Sequence, residues 1–198
     1  MGKKHGRRQK VQSTGILRDR SRPMNFLRWF RERNMRKTAD KAGTDSVWSL
    51  TVCAINPNVE RQSDLIELCQ KVLSDPDDSG RLALLVMQLP LLGVLAAIAD
   101  NGKDSGGILS QSVQESVLAT FDFGPGISSN TINAAFVAMR NSLAPLLASD
   151  DLHEVGNWLL STASEASSGF YPDQIGDVGA VAGQFYRLGY TAASETTG

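Results

Sequence analysis

The sequence predicts a mainly α-helical protein, or an α+β protein with one or two short strands, in which a single compact helical domain follows a disordered basic arm. Apolar residues recur at helical spacing along most of the chain after residue 64. The chain is 41% hydrophobic, which is enough to bury a core. The charge is unevenly distributed. Residues 1–41 carry 14 Lys/Arg and 3 Asp/Glu, a net charge of +11, whereas the rest of the chain carries 6 Lys/Arg and 18 Asp/Glu, a net charge of −12. This division separates an arm from a body.

Residues 1–22 are predicted to be the disordered part of the arm. Their apolar content is too low to offset the loss of chain entropy on folding. Five basic residues form the candidate nucleic-acid or membrane contact of this segment: Lys3, Lys4, Arg7, Arg8 and Lys10. Such a cluster binds phosphate by releasing counterions, and it also suits a nuclear-import signal.

Residues 23–43 are predicted to form a basic amphipathic helix and a hinge. Pro23 suits the first turn of a helix. Aromatic residues then alternate with basic ones, and the candidate contact residues are Arg28, Trp29, Phe30, Arg31, Arg33, Arg36 and Lys37. Two interpretations stay open: the aromatic side chains dock this helix onto the body, or they contact a membrane surface or nucleic acid.

The first half of the body, which is assigned residues 44–190, predicts a strand and two helices. Strand formers and partial alternation from 47 to 55 predict a strand, which a turn at Asn56-Pro57-Asn58 ends. Ser63 or Asp64 caps a helix that the polar residues 74–80 end. Residues 81–99 are nearly long and apolar enough to cross a membrane, but internal polar and helix-breaking residues favour a buried helix bent at Pro90.

The second half predicts three or four further helices. Residues 101–107 are predicted to form a polar loop, and the pattern of residues 108–121 favours a helix, with a strand as the alternative. Ser128 or Ser129 begins a helix that Pro145 bends or ends, and Asp150 or Asp151 begins the next. The last helix is expected from Val178 to Leu188, and residues 191–198 are expected to form a flexible tail.

The sequence contains no pattern typical of catalysis, so the protein is predicted not to be an enzyme and to need no cofactor or metal. Its two histidines, His5 and His153, lie far apart, and no Gly-x-Ser-x-Gly elbow accompanies them. The kinase-like tripeptide Asp122-Phe123-Gly124 lacks the other kinase motifs. Two cysteines and no signal peptide or transmembrane span favour an intracellular location, cytoplasmic or nuclear.

The layout of residues 1–100 resembles that of rhabdovirus matrix proteins. The similarity consists of a basic N-terminus, the segment Met24-Asn25-Phe26-Leu27-Arg28, a strand-like run at 47–55, a helix at 64–73 and the apolar segment 81–99. This resemblance implies a scaffold that bridges a membrane and a nucleocapsid, and a location in the virion. The chain departs from that family in having no Pro-Pro-x-Tyr motif, a helical second half and an acidic body.

The functional expectation is a non-enzymatic structural or interaction protein, of viral-matrix type in the light of the resemblance. The arm would bind RNA, ribonucleoprotein or an anionic membrane, and the body would self-associate. The alternative is a regulatory adaptor or host-factor antagonist, in which the helical body binds a protein partner and the arm serves as a nuclear-import signal.

Overall fold

The protein folds as a helical body, which a computed structural model describes for residues 45–102, 104–120, 129–164 and 170–197. The mainly α prediction is confirmed. Within these ranges one short 3-10 helix, Ser105–Gly107, precedes the α-helix Ile108–Leu118. The α-helices are α1 (Asp45–Val72), α2 (Pro76–Val86), α3 (Leu89–Asp100), α4 (Ile108–Leu118), α5 (Ser129–Ala148), α6 (Leu152–Ala163) and α7 (Pro172–Thr197).

The core is built around α3. Every residue from Leu89 to Leu95 is buried, because α1, α4 and α7 pack around this helix. A helix that is apolar on all sides is stable in water only when neighbours cover it in this way. The long helices α1 and α7 then carry the smaller helices α2 and α6 on their flanks.

The helices α3 and α7 approach closely through glycines. A Cβ atom added to Gly93 would lie 2.1 Å from the Tyr186 carbonyl oxygen, and one added to Gly189 would lie 2.1 Å from the Pro90 carbonyl oxygen. No larger residue fits either position without a shift of the backbone. The two glycines therefore set the distance between the two central helices.

Three of the helices begin as their sequences dictate. The Asp75 carboxylate accepts hydrogen bonds from the Asp77 and Asp78 N–H groups at 2.9 and 3.0 Å, and Pro76 occupies the first turn of α2. Asp151 caps α6 as predicted, by accepting from the Glu154 N–H at 3.4 Å. Pro172 opens α7. Caps of this kind satisfy N–H groups that have no partner within the helix.

The predicted strand at 47–55 and the predicted turn at 56–58 are wrong, because both segments lie inside α1. The buried residues of this part of α1 are Leu50, Thr51, Ala54, Ile55, Pro57 and Asn58, and their three- and four-residue spacing places them on one helical face. Packing of that face against α3, α4 and α7 outweighs the strand preference of the β-branched residues.

Pro57 is tolerated in the interior of α1 although it cannot donate a backbone hydrogen bond. The adjacent Asn58 side chain is buried and donates from Nδ2 to the Met87 carbonyl oxygen at 2.7 Å. It thereby ties α1 to the turn between α2 and α3. The predicted cap at Ser63 or Asp64 is also wrong, since both residues lie in the second half of the same helix.

The apolar stretch 81–99 is divided between two helices rather than bent within one. The break falls at Met87 and Gln88, and Pro90 stands in the first turn of α3. Among the described residues, Pro76–Asp100 is the one stretch whose length and composition would allow it to cross a membrane. Its most apolar window is 72% buried inside the body, as is typical of a core helix.

The second half contains the predicted helices with different ends. Residues 108–118 form a helix, which the sequence favoured over a strand, and α5 continues three residues past Pro145. The last helix is longer than predicted at both ends. It includes residues 191–197 of the expected flexible tail, where Ala193 and Thr197 are buried. The body therefore extends to Thr197, whose hydroxyl accepts a hydrogen bond from Asn101 Nδ2 at 2.7 Å.

Candidate functional site

The twelve predicted contact residues all belong to residues 1–44, which lie outside the described part of the chain. This holds for the cluster Lys3–Lys10 and for the basic aromatic segment Arg28–Lys37. The predicted disordered arm (1–22) and the predicted amphipathic helix and hinge (23–43) lie there too. The structure therefore defines the body against which these residues would act.

Several acidic residues of the body lie where helices begin. Asp75, Asp77 and Asp78 surround the start of α2, and Asp151 and Glu154 surround the start of α6. A carboxylate in this position interacts favourably with free backbone N–H groups and with the helix dipole. These carboxylates therefore have a structural role at the starts of the two helices.

One of these acids joins two helices. The Arg81 side chain forms an ion pair with Asp78 within α2, and the Ser164 hydroxyl at the end of α6 donates to the other Asp78 oxygen at 3.0 Å. The Arg81 hydrogen bond is the main cause that lowers the pKa of Asp78 below its usual value, with a smaller contribution from Ser164. This contact is structural, because its groups satisfy one another.

No described residues assemble into a recognisable catalytic or metal centre. The His153 side chain is exposed at the start of α6, with its Nδ1 atom 3.8 Å from a Glu154 oxygen. Burial raises the pKa of the Cys69 thiol to about 11, so that it is a poor nucleophile at neutral pH. Within the described ranges no group of three His, Cys, Asp or Glu side chains could hold a metal ion.

An open groove of about 570 Å³ crosses the surface between α3, α4 and α5, and we call it the α3–α5 groove. Its floor is apolar and its rim is polar. The floor includes Leu95, Ala96 and Ala99 of α3 together with Val137 of α5, and the rim includes Asp104, Gln111, Glu115 and Arg140. A volume of this size lies within the range of ligand and peptide grooves.

The α3–α5 groove exists because α5 packs mainly on α6 and meets α4 at few positions. One of these contacts is a hydrogen bond from Gln114 Nε2 to Asn133 Oδ1. Phe136, Met139, Leu143 and Leu147 form the buried stripe of α5. Val137, Arg140 and Ala144 are turned towards the groove and are only half-buried.

A second groove, of about 920 Å³, lies between α1 and α2, and we call it the α1–α2 groove. It is lined by apolar residues such as Leu73, Leu84 and Met87, and the Ile66 side chain beside them is 40% exposed. Its charged lining residues are Asp77 and Arg81.

A small hollow of about 230 Å³ marks the point at which the described chain begins. Asp45 at the start of α1 lines it together with Leu109 of α4 and Thr196 of α7. Ser110, the residue after Leu109, lines the α3–α5 groove. The start of the described chain therefore lies close to α4, the helix that forms one wall of that groove.

Comparison of the chain with protein-family models, with curated proteins and with solved structures finds no match. The resemblance of its layout to rhabdovirus matrix proteins accordingly stays a prediction. Functional inference for this protein has to come from its own charges, grooves and contacts.

Sequence reasoning did not identify either groove. Both grooves lie between helices whose relative positions depend on tertiary packing, and residues such as Ala99 and Val137 are ordinary in a helical pattern. A signal was present in α5, where Val137 and Ala144 widen the apolar face beyond the stripe that the core uses. Such a widened face indicates a second apolar neighbour.

Proposed function

We propose that this protein is a non-enzymatic structural or interaction protein that binds polyanions through its basic N-terminal arm. The observation that carries the proposal is the placement of 14 of the 20 Lys/Arg residues within residues 1–41. Segments of this charge density associate with nucleic acid or anionic lipid because they release condensed counterions. The contact residues of the proposal are Lys3, Lys4, Arg7, Arg8 and Lys10, with the segment Arg28–Lys37 as a second contact.

The chemistry of the body supports assigning the contact to the arm. The described helices carry five basic residues, namely Arg61, Lys71, Arg81, Arg140 and Arg187. Two of them interact with carboxylates, since Arg81 pairs with Asp78 and an Arg187 nitrogen lies 3.9 Å from an Asp150 oxygen. A surface with this charge balance repels phosphates, so a nucleic acid enclosed by the body is disfavoured.

The test is the salt dependence of binding to single-stranded RNA by the full chain. Each phosphate contact with a single strand contributes about 0.7 to the slope of log affinity against log salt concentration. Neutralising Lys3, Lys4 and Arg7 to Gln should therefore reduce the slope by about 2 and weaken binding at low salt. The matched control neutralises Arg61, Lys71 and Arg187 of the body to Gln and should leave the slope unchanged.

Equal losses in the two triple variants would refute the assignment of the contact to the arm. The same proteins are then tested with vesicles that contain an anionic lipid. A preference for RNA identifies a nucleic-acid protein, and a preference for vesicles identifies a membrane-associated one. If the unmodified chain binds neither target, the polyanion proposal fails and the adaptor alternative is favoured.

Self-association of the body is the second part of the proposal. A scaffold has to assemble with itself, whereas an adaptor with one protein partner can act as a monomer. Sedimentation velocity over a range of protein concentrations, in salt high enough to suppress contacts of the arm, distinguishes the two. A constant monomeric mass would refute the scaffold and leave the polyanion contact to be judged by the RNA and vesicle data.

A further inference from the structure

The α3–α5 groove matches an amphipathic helical segment better than it matches a small ligand. It is open, with small side chains such as Ala96 and Ala99 on its floor, and polar groups line its rim. Grooves of this kind bind the apolar face of a helix, whose anchors are spaced three or four residues apart. Segment 23–37 has anchors with this spacing at Phe26, Leu27 and Phe30.

The chain enters the body beside this groove. Asp45 and Leu109 line the same small hollow, and Ser110 lines the groove. Fifteen residue steps separate Phe30 from Asp45, which corresponds to a reach of about 50 Å for an extended chain. Ile66 of the α1–α2 groove lies 21 residues further along α1, about 30 Å from its start, so the linker reaches both grooves and their charges have to distinguish them.

The charges of segment and surface are complementary. Residues 28–37 contain five basic residues and a single acid, Glu32. The groove presents Asp104 and Glu115 on its rim against one arginine, Arg140, and the body as a whole has a net charge of −12. Association of the segment with this face is therefore favoured electrostatically, as well as by burial of its aromatic side chains.

We propose that the segment Pro23–Lys37 docks through Phe26, Leu27 and Phe30 into the α3–α5 groove of its own chain. Docking competes with polyanion binding, because the basic residues beside Phe30 cannot contact the groove rim and phosphates at once. The competition rests on the proposed function, whereas the docking contact itself does not.

The expected change in polyanion affinity follows from the short linker between the docking segment and the body. A short linker gives the segment an effective concentration on the order of 1 mM at the groove. With an intrinsic dissociation constant of about 0.1 mM, the docked form exceeds the free form about tenfold, and the arm's polyanion affinity falls by the same factor. Removal of the docking contact should therefore raise polyanion affinity by about tenfold.

The docking contact is tested by disulfide capture in the full chain carrying Cys53→Ser. Asn34→Cys, which keeps all three anchors, is combined with Gln111→Cys on the groove wall. The matched control combines Asn34→Cys with Gln70→Cys in the α1–α2 groove. Both glutamines are exposed. We expect an intramolecular disulfide under mild oxidation with Gln111→Cys and little with Gln70→Cys, as measured by non-reducing gel mobility and intact mass.

Equal capture of the two pairs, or no capture, would overturn the docking contact. Capture that joins two chains would also overturn it as stated, because a second copy would then be the occupant.

The competition is tested by charge reversal at the rim. Glu115→Lys and Glu67→Lys change the net charge equally at two exposed positions, but only Glu115 lines the α3–α5 groove. We expect Glu115→Lys to raise the affinity for single-stranded oligouridine several-fold, within the limit of about tenfold set by complete loss of docking, and Glu67→Lys to raise it much less. In chains that also carry Phe30→Ser, the two reversals should have equal effects.

An equal effect of the two reversals in the unmodified chain would overturn the competition. The experiments distinguish failure of the docking proposal from failure of the proposed function. If the chain does not bind oligouridine or anionic vesicles, the proposed function fails and the disulfide result alone decides the docking contact. If the chain binds them and no disulfide forms with Gln111→Cys, the docking proposal fails alone.

Discussion

Replacement of Gly179 by alanine tests the helix packing on which the body depends. A Cβ atom at Gly179 of α7 would lie 1.9 Å from the Leu152 carbonyl oxygen of α6. Gly176, one turn earlier in the same helix, is exposed and has nothing within 4 Å of its Cβ position. The same substitution at the two positions therefore separates close packing from helix propensity.

The magnitude follows from the distance that has to be restored. Relief of a 1.9 Å contact to the 3.0 Å minimum requires α6 to move away from α7 by about 1 Å. A gap of about 1 Å forfeits up to half of the dispersion energy at the contact, so we expect a cost of about 3 kcal/mol. Alanine recovers about 1 kcal/mol in helix propensity, which leaves a net destabilisation of about 2 kcal/mol.

Thermal unfolding followed by circular dichroism provides the measurement. For a chain of this size, 1 kcal/mol corresponds to about 2–4 °C, so Gly179→Ala should lower Tm by about 4–8 °C. Gly176→Ala should raise Tm by up to about 3 °C, because alanine favours the helix and meets no neighbour. A Tm for Gly179→Ala equal to or above that of the unmodified protein would show that α6 and α7 do not pack as closely as described.

Two further predictions concern a thiol and a helix cap. Burial raises the pKa of the Cys69 thiol to about 11, so Cys69 should react with a disulfide reagent only as the protein unfolds, which thiol labelling of the Cys53→Ser variant measures. The stability that the protonated Cys69 thiol confers should fall as the pH rises from about 9 towards 11, which chemical denaturation of the same variant measures. Asp75→Ala should lower the free energy of unfolding by about 1 kcal/mol through loss of the α2 cap, as measured by urea denaturation. Asp64→Ala, inside α1, should leave the free energy of unfolding unchanged or raise it slightly. A larger loss at Asp64 than at Asp75 would contradict the position of Asp64 within a helix.

The sequence predicts the helices whose signals are local. The cap at Asp151 and the apolar stripe of α5 were recognisable because capping and three- to four-residue spacing are properties of neighbouring residues. The first half of α1 was predicted as a strand because Val47, Val52 and Ile55 favour strands and Pro57 favours a turn. What decides this segment is burial against α3, α4 and α7, and that contact is not visible in the local sequence.

The end of the body was also misjudged from local composition. The residues after Thr191 are small and polar, which is typical of a frayed terminus. In the structure, Ala193 and Thr197 are buried, and Asn101, 96 residues earlier in the chain, donates a hydrogen bond to the Thr197 hydroxyl. A small residue is easily taken for a loop residue when its role is to let another helix approach.

The charge of the candidate site could be predicted from the sequence, but its grooves could not. The basic residues of the arm are evident in the sequence, since their number alone defines the segment. The α3–α5 groove depends on α5 packing on α6 rather than on α4, which the helical pattern of either helix does not determine. The apolar surplus of α5 at Val137 and Ala144 gained meaning only once its neighbours were known.

The positions of the acids bear on why the charge of this protein is divided. Asp75, Asp104 and Asp151 each accept a hydrogen bond from a backbone N–H group in a first helical turn, so the body uses negative charge to start these helices. Scattered lysines and arginines four residues away would balance those acids locally, yet the described helices hold five basic residues in all. The positive charge is instead concentrated in residues 1–41. The docking of Pro23–Lys37 that we propose, together with its competition with a polyanion, would account for both halves of this division.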